Sequence, residues 1–482
     1  MYVGRIVFTY SYILIFIILP VTSIVAPSQD VNSIEGIAED FSAWDWKREQ
    51  FLRYAKDYPY GWPKFDCMIP SKSRNPEDVH HLAPWHFSVI GAIGDSLTAG
   101  RAAGAEYFSD LVLDYRGLSF VTGGEKNLTH QASLFNIFSH FSPHLAGKST
   151  GTAQASNISV AGLNLAKAGS LSDDLLRQAY ALVQRIKSHP KVNFHNSWKF
   201  INIFIGSNDL CKGCRNETKS GVEEFAQNIR KTLIYLRNNL PRTYINLLPP
   251  FHIEILLETQ DDNPFCVDLQ RVYCPCLFQL RKQDLKATKR LYDSILTEFL
   301  TNDYQTEDFA VVISSGANVD QLATVGNIVN LAFVGLDCFH FSQIAHDMVA
   351  KIIWHDIFKP IDARSAVDLN QFQPQRWFCP SEDCPYLRTS LNSRACKNDA
   401  SFSQAERKRG VKYENTVYLP PMSELERRAF MEEHGVVFIL SFLGVIFAIG
   451  IACLALSSCR RTDRSAQESS ERTYLLNDKH FV

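Results

Sequence analysis

Neither sign of charge is in excess in this chain: 49 Lys and Arg stand against 51 Asp and Glu over 482 residues, a formal net charge of −2. The two signs are interleaved, so there is no basic stripe to neutralise a phosphate backbone, and nucleic acid is excluded as a partner. No segment repeats itself, which excludes a solenoid or a tandem array. Paired ligand spacings of the kind that hold zinc are missing as well; cysteines with His80 or His81 come nearest, without the paired pattern. Long hydrophobic runs are absent from the interior and stand only near the two ends.

Those ends read as targeting segments. One basic residue, Arg5, precedes an aliphatic and aromatic run over 6–21, and small residues follow at Ser23 and Ala26, the order of a cleaved secretory signal over 1–26. A retained signal anchor is the alternative. Residues 436–456 are apolar apart from Ser441 and long enough to cross a hydrocarbon core about 30 Å thick, so 435–458 is expected to be one transmembrane helix. Glu432 and Glu433 precede it and Arg460, Arg461 and Arg464 follow it. That asymmetry predicts a single-pass type I protein of the plasma membrane, with 459–482 as a cytoplasmic tail and everything upstream facing outward. Cys453 and Cys459 at the inner boundary are either palmitate acceptors or inert thiols.

Ten cysteines lie outside the two apolar ends: Cys67, Cys211, Cys214, Cys266, Cys274, Cys276, Cys338, Cys379, Cys384 and Cys396. An even number in an oxidising compartment predicts disulfides, with a pairing that spacing alone leaves open. Cys211 and Cys214 have a redox-motif spacing, but beside a candidate site in such a compartment a structural disulfide is the stronger reading. Sequons at Asn127, Asn157 and Asn216 predict glycosylated surface loops on the same side.

Between the ends, 67–360 alternates strand-like and helix-like patterns and is long enough for one large core. Short β-branched runs at 87–93, 199–205, 244–248 and 309–314 read as buried strands, and 222–238, 281–300 and 342–358 carry helical periodicity. Strands separated by helices imply a parallel sheet covered on both faces, an α/β class. Residues 27–66 read as a leader, flexible over 24–50, and 361–434 as a small cysteine-bearing cap running into a stalk.

The chemistry concentrates at the carboxyl ends of these strands, where an open α/β sheet presents its crevice. The run 87–93 ends in Gly94-Asp95-Ser96-Leu97-Thr98-Ala99-Gly100; Gly94 permits a tight turn, and a helix beginning there aims the Ser96 N–H at an oxyanion. A serine needs a base, and the base an orienting carboxylate. Asp337-Cys338-Phe339-His340 follows the apolar run 328–334, and a spacing of three brings Asp337 and His340 onto one side of a turn. Asn208, in Gly206-Ser207-Asn208-Asp209 after the run 199–205, offers an amide donor to an oxyanion. Gly169 leaves room for a backbone N–H to join it. Asp209 is an alternative acid; local spacing favours Asp337.

With Ser96, Gly169, Asn208 and Asp337/His340 in that order, the chain resembles the GDSL or SGNH hydrolases. The resemblance implies a flavodoxin-like three-layer α/β/α sandwich, with an oxyanion hole from Ser96, Gly169 and Asn208. Val79-His80-His81-Leu82-Ala83-Pro84, Ile90 through Gly100, Tyr115-Arg116-Gly117-Leu118-Ser119, Ile205 through Cys211 and Asp337 through Ser342 resemble the membrane-associated phospholipase B subgroup, whose members also carry a signal peptide and a C-terminal anchor. That likeness implies a carboxylic ester hydrolase acting on phospholipids and lysophospholipids, with retinyl esters and glycerides as side substrates. One unit stands here where the mammalian pattern has several in tandem. The implied mechanism needs no cofactor and no metal. Rival readings are a short-chain or carbohydrate esterase of the same family and a surface receptor on a catalytically dead fold. His346 reads as an ordinary helical residue, and Phe251, Phe265, Phe278 and Phe339 as packing residues that could also line an acyl groove.

Overall fold

Four apolar segments form one parallel sheet in the computed structural model of the chain, which describes residues 32–394 apart from 70–74, 216–217, 261–262, 317, 326–327 and 382–383. The strands are β1 (Phe87–Gly94), β2 (Trp198–Phe204), β3 (Thr243–Leu248) and β4 (Phe309–Ile313), hydrogen-bonded in the order β1-β2-β3-β4. Register runs through Gly91↔Ile201↔Ile245 and Phe200↔Tyr244↔Ala310. All residues of β2 and β3 are buried, as a sheet covered on both faces requires. The outer edge of β1 is closed by isolated parallel bridges, Val89 to Ala146 and Ala92 to Asn164.

The principal helices are α1 (Asn32–Tyr54), α2 (Ser96–Ala99), α3 (Leu134–Phe141), α4 (Leu175–Lys187), α5 (Thr218–Asn239), α6 (Pro264–Tyr273), α7 (Lys282–Leu296) and α8 (Gln343–Asp356). On one face α4, α5 and α7 lie side by side, and α4 packs on β1. Gly91 makes that approach possible: a Cβ there would stand 3.1 Å from Ile201 and 3.2 Å from Leu182. On the opposite face, aromatics replace the close backbone contact. Phe138 of α3 and Trp354 of α8 meet with ring centroids 5.6 Å apart, and Phe138 packs 5.1 Å from Phe200, which stacks on Tyr244. Helices therefore cover both faces of the parallel sheet.

Three expectations change at the level of elements. The run 328–334 is interrupted: only Ile328–Val329 is a strand, and the Asn330 side chain accepts from the Ala332 N–H to start a single 3-10 turn, Leu331–Phe333. The expected helix 281–300 ends at Leu296 and continues as a 3-10 turn, Thr297–Leu300. The segment read as a flexible leader contains α1, whose Trp44 is fully buried.

The placement in the plasma membrane as a single-pass type I chain is corrected. Among the described residues no helix is long and apolar enough to cross a membrane. Helices α1 and α5, of 23 and 22 residues, have the length but carry charge along it, including Glu39, Asp45, Lys47 and Arg53 in one and Glu223, Glu224, Lys231 and Arg237 in the other. The apolar runs 6–21 and 436–456 lie outside the described residues, as do Cys396, Cys453, Cys459 and Asn216.

Disulfides join Cys67 to Cys379, Cys211 to Cys274, Cys214 to Cys276 and Cys266 to Cys338. Cys384 is also disulfide-bonded. Cys211 and Cys214 thus bond to partners about 60 residues away and not to each other, a staple at the end of β2 with no dithiol of redox type. Residues after α8 return to the core: Val367–Asp368 pairs with Val319–Gln321, and Leu387 is fully buried with its N–H donated to Leu82 O.

Candidate active site

Strand β1 delivers its last residue, Gly94, into a conformation with φ +153°. A Cβ there would lie 2.2 Å from Phe204 O, so only glycine lets β1 run this close to β2 as it turns. The side chain of Gln178, from α4, grips both backbone groups of Gly94, accepting from its N–H at 2.8 Å and donating to its carbonyl at 2.9 Å. Asp95 then caps α2 by accepting from the Leu97 N–H at 2.9 Å, and Ser96 is the first helical residue. Gly100, at φ +77°, ends the turn.

The hydroxyl of Ser96 lies 2.8 Å from His340 Nε2, and His340 Nδ1 lies 2.5 Å from Asp337 Oδ2. All three residues are buried. The other carboxylate oxygen of Asp337 accepts the backbone N–H groups of Phe339 and His340, at 3.2 and 2.9 Å. Burial alone would push this carboxyl up, but the His340 imidazole and these hydrogen bonds outweigh it and hold it below the usual carboxylate range. An ionised Asp337 fixes the tautomer: Nδ1 carries the hydrogen and Nε2 presents a lone pair to the serine O–H. The loop itself is a tight hairpin, with a Val334 to Phe341 bridge, the Gly335 N–H donating to His340 O at 2.7 Å, and Cys338 at φ +55°.

Asn208 and Gly169 come together at the adjoining rim. Asn208 Nδ2 donates to Ser170 O at 3.0 Å, and Gly169, at φ +78° with open space around it, is the preceding residue. Asp209 faces elsewhere: its carboxylate accepts from the Ser172 hydroxyl at 2.6 Å and from the Ser172 N–H, and burial pushes it above its ordinary range against those bonds. It braces the loop that carries Gly169 and Ser170, while His340 is engaged by Asp337.

A small cavity opens on this line, bordered by Asp95, Ser96, Asn208, Phe251, Leu256 and Phe339. Phe251, Leu256 and Phe339 also border a second cavity, which runs from His340 to Phe341, Met348 and Ile352 and is almost wholly apolar. Of the other aromatics singled out in the sequence, Phe265 packs 5.1 Å from Phe41 of α1, and Phe278 is partly exposed beneath Arg271. His346 is fully buried on α8, stacked on Phe120 and accepting its N–H; burial pushes it down to about 3. His80 and His81 are bonded to Thr389 and Asp78. Among the described residues no group of three or more His, Cys, Asp or Glu is placed to hold a metal ion. Asn127 and Asn157 are exposed.

Two supporting residues carried no sequence signal. Gln178 sits in an otherwise ordinary amphipathic helix, and Arg116, fully buried, donates to the carbonyls of Ala153, Asn164 and Ala166 and so holds the chain that leads to Gly169. Arg116 lies in the run Tyr115-Arg116-Gly117-Leu118-Ser119, but nothing in its neighbours assigns it this part.

A model described as GDSL-like lipase/acylhydrolase matches residues 90–353. The chain belongs to that family. It is 33% identical over 373 residues to membrane-associated phospholipase B1 of Homo sapiens, covering 73% of this chain and 25% of that protein. Against membrane-associated phospholipase B1 of Mus musculus it is 34% identical over 345 residues, covering 68% and 23%. The chain therefore spans about a quarter of the length of these curated relatives. The crystal structure of phospholipase A1 from Streptomyces albidoflavus NA297 aligns over 55% of this chain and 97% of its own, at 14% identity and a TM-score of 0.28.

Proposed function

We propose that this acylhydrolase cleaves acyl esters of glycerophospholipids and lysophospholipids, with Ser96 as nucleophile, His340 as base and Asp337 as the carboxylate that orients it. The observation that carries the reading is the unbroken hydrogen-bonded line from Ser96 Oγ through the imidazole to Asp337, opening beside an apolar cavity. Ser96 Oγ attacks the ester carbonyl as its proton passes to Nε2; the imidazolium that forms is stabilised by the carboxylate and returns the proton to the departing alkoxide. Water, activated by the same nitrogen, then releases the fatty acid.

Charge developing on the carbonyl oxygen is met by the N–H of Ser96 at the start of α2, the N–H of Gly169 and the amide of Asn208. An amide has two N–H donors, so one on Ser170 O leaves the other for the oxyanion. The apolar cavity beyond Phe251 and Phe339 suits an acyl chain, and the relatives' printed name supports a phospholipid as its source. Retinyl esters and glycerides present the same bond to the same groups. The disulfides fit maturation in an oxidising compartment, with Asn127 and Asn157 exposed as glycan acceptors.

Labelling with a fluorophosphonate, alongside fatty-acid release from phosphatidylcholine, lysophosphatidylcholine and short-chain esters, tests this. The native chain is expected to label and Ser96→Ala is not; equal labelling of the two refutes the role of Ser96. Turnover confined to short-chain esters refutes the lipid assignment and leaves the serine mechanism standing.

A further inference from the structure

Alternate carbonyls of the acid–base loop are held from outside it. Arg48 Nε donates to Val334 O at 2.9 Å, Trp44 Nε1 to Leu336 O at 2.9 Å and Gln270 Nε2 to Cys338 O at 2.7 Å. The Cys266–Cys338 disulfide fastens the same tip. Trp44 and Arg48 are four residues apart on α1, as Cys266 and Gln270 are on α6, so each helix turns one face to the loop. The two helices are joined in turn: Asn263 Nδ2, at the cap of α6, donates to Asp40 O, and Phe41 meets Phe265 edge to face.

The loop has reason to need a collar. Its tip carries Cys338 in a left-handed conformation that a non-glycine residue keeps only when its surroundings impose it. Asp337 and His340 flank that residue, and a displacement of about 1 Å between reacting groups costs rate steeply. Helix α1, moreover, ends at Tyr54, well before the family match begins at residue 90.

We infer that Trp44 and Arg48 of α1 are positioning residues that hold Asp337 and His340 in register with Ser96, so that a segment ahead of the family-matched region belongs to the catalytic apparatus. The inference rests on the serine-hydrolase reading given above. Trp44 acts through its N–H, from an indole fully buried in the same apolar cluster as Leu336 and Cys338. Arg48 acts through its hydrogen bond to Val334 O.

The test is steady-state hydrolysis of a soluble p-nitrophenyl ester by the full chain, with active sites counted by fluorophosphonate titration so that misfolded protein does not enter kcat. Trp44→Phe keeps an aromatic ring and removes the donor together with the pyrrole half of the indole; kcat per titrated site is expected to fall about tenfold with KM unchanged within about twofold. Trp46→Phe, at a position 68% exposed on the same helix, is expected to match the native enzyme. Arg48→Met removes the donor to Val334 O, and kcat per titrated site is expected to fall about tenfold with KM unchanged within about twofold; Arg48→Lys, which keeps a donor, is expected to recover part of that loss. A native kcat per titrated site in Trp44→Phe, or in Arg48→Met, overturns the corresponding assignment. Ser96→Ala run alongside separates the two failures: native turnover in it refutes the serine reading and this inference together, whereas an inert Ser96→Ala beside a fully active Trp44→Phe refutes only the inference.

Discussion

Asp95 stands next to Ser96, 1% exposed, and burial pushes its pKa from 3.8 to about 7, against the pull of the Leu97 N–H and His340 and with the push of Asp209. Such a group holds its proton more tightly in the folded chain than in the unfolded one. Its contribution to stability is full below the unfolded pKa and is lost as pH rises through about 7. These two values make the folded chain about 2–3 kcal/mol less stable at pH 8 than at pH 5 on account of this one residue. Asp95→Asn keeps the shape and the cap acceptor for Leu97 but cannot ionise. Its amide N–H₂ would take the place of Asp95 Oδ2, a buried atom without a hydrogen-bond partner among the described residues, at a pH-independent cost of roughly 1–3 kcal/mol. The variant is therefore expected to gain about 2–3 kcal/mol on the native chain between pH 5 and pH 8. Urea unfolding of both proteins at the two pH values, with disulfides intact, measures this difference, and every other titrating group is common to both. Parallel stability profiles would refute the buried, proton-holding Asp95.

Asp337→Asn leaves the loop hydrogen bonds to Phe339 and His340 possible but presents the wrong tautomer to Ser96, so kcat is expected to fall about 10⁴-fold in a folded protein. Asp209→Asn disturbs only the brace on Ser172, and a loss below about 100-fold is expected; the reverse order of the two losses would reassign the acid. Asn208→Ala removes the donor proposed for the oxyanion, so kcat is expected to drop roughly 10²–10³-fold with KM nearly unchanged, read from initial rates on a soluble ester.

The sequence by itself determined the class of fold and the three residues that meet. Strands such as 199–205 are legible because a strand buried on both faces must be apolar along its whole length, and the Gly94-Asp95-Ser96 turn because a tight exit from such a strand demands glycine. Asp337 and His340 are legible because their contact is local, three residues within one turn. What only the tertiary structure decided involves distant partners. The cysteine pairing, the grip of Gln178 on Gly94 and the buried Arg116 depend on residues far apart in the chain, and no periodicity records such meetings. The same holds for α1: its residues read as part of a flexible leader, and only the presence of the Val334 and Leu336 carbonyls almost 300 residues away gives the Arg48 guanidinium and the Trp44 indole their partners. A side chain's own chemistry fixes what it can bond; where the chain folds back fixes what it does bond.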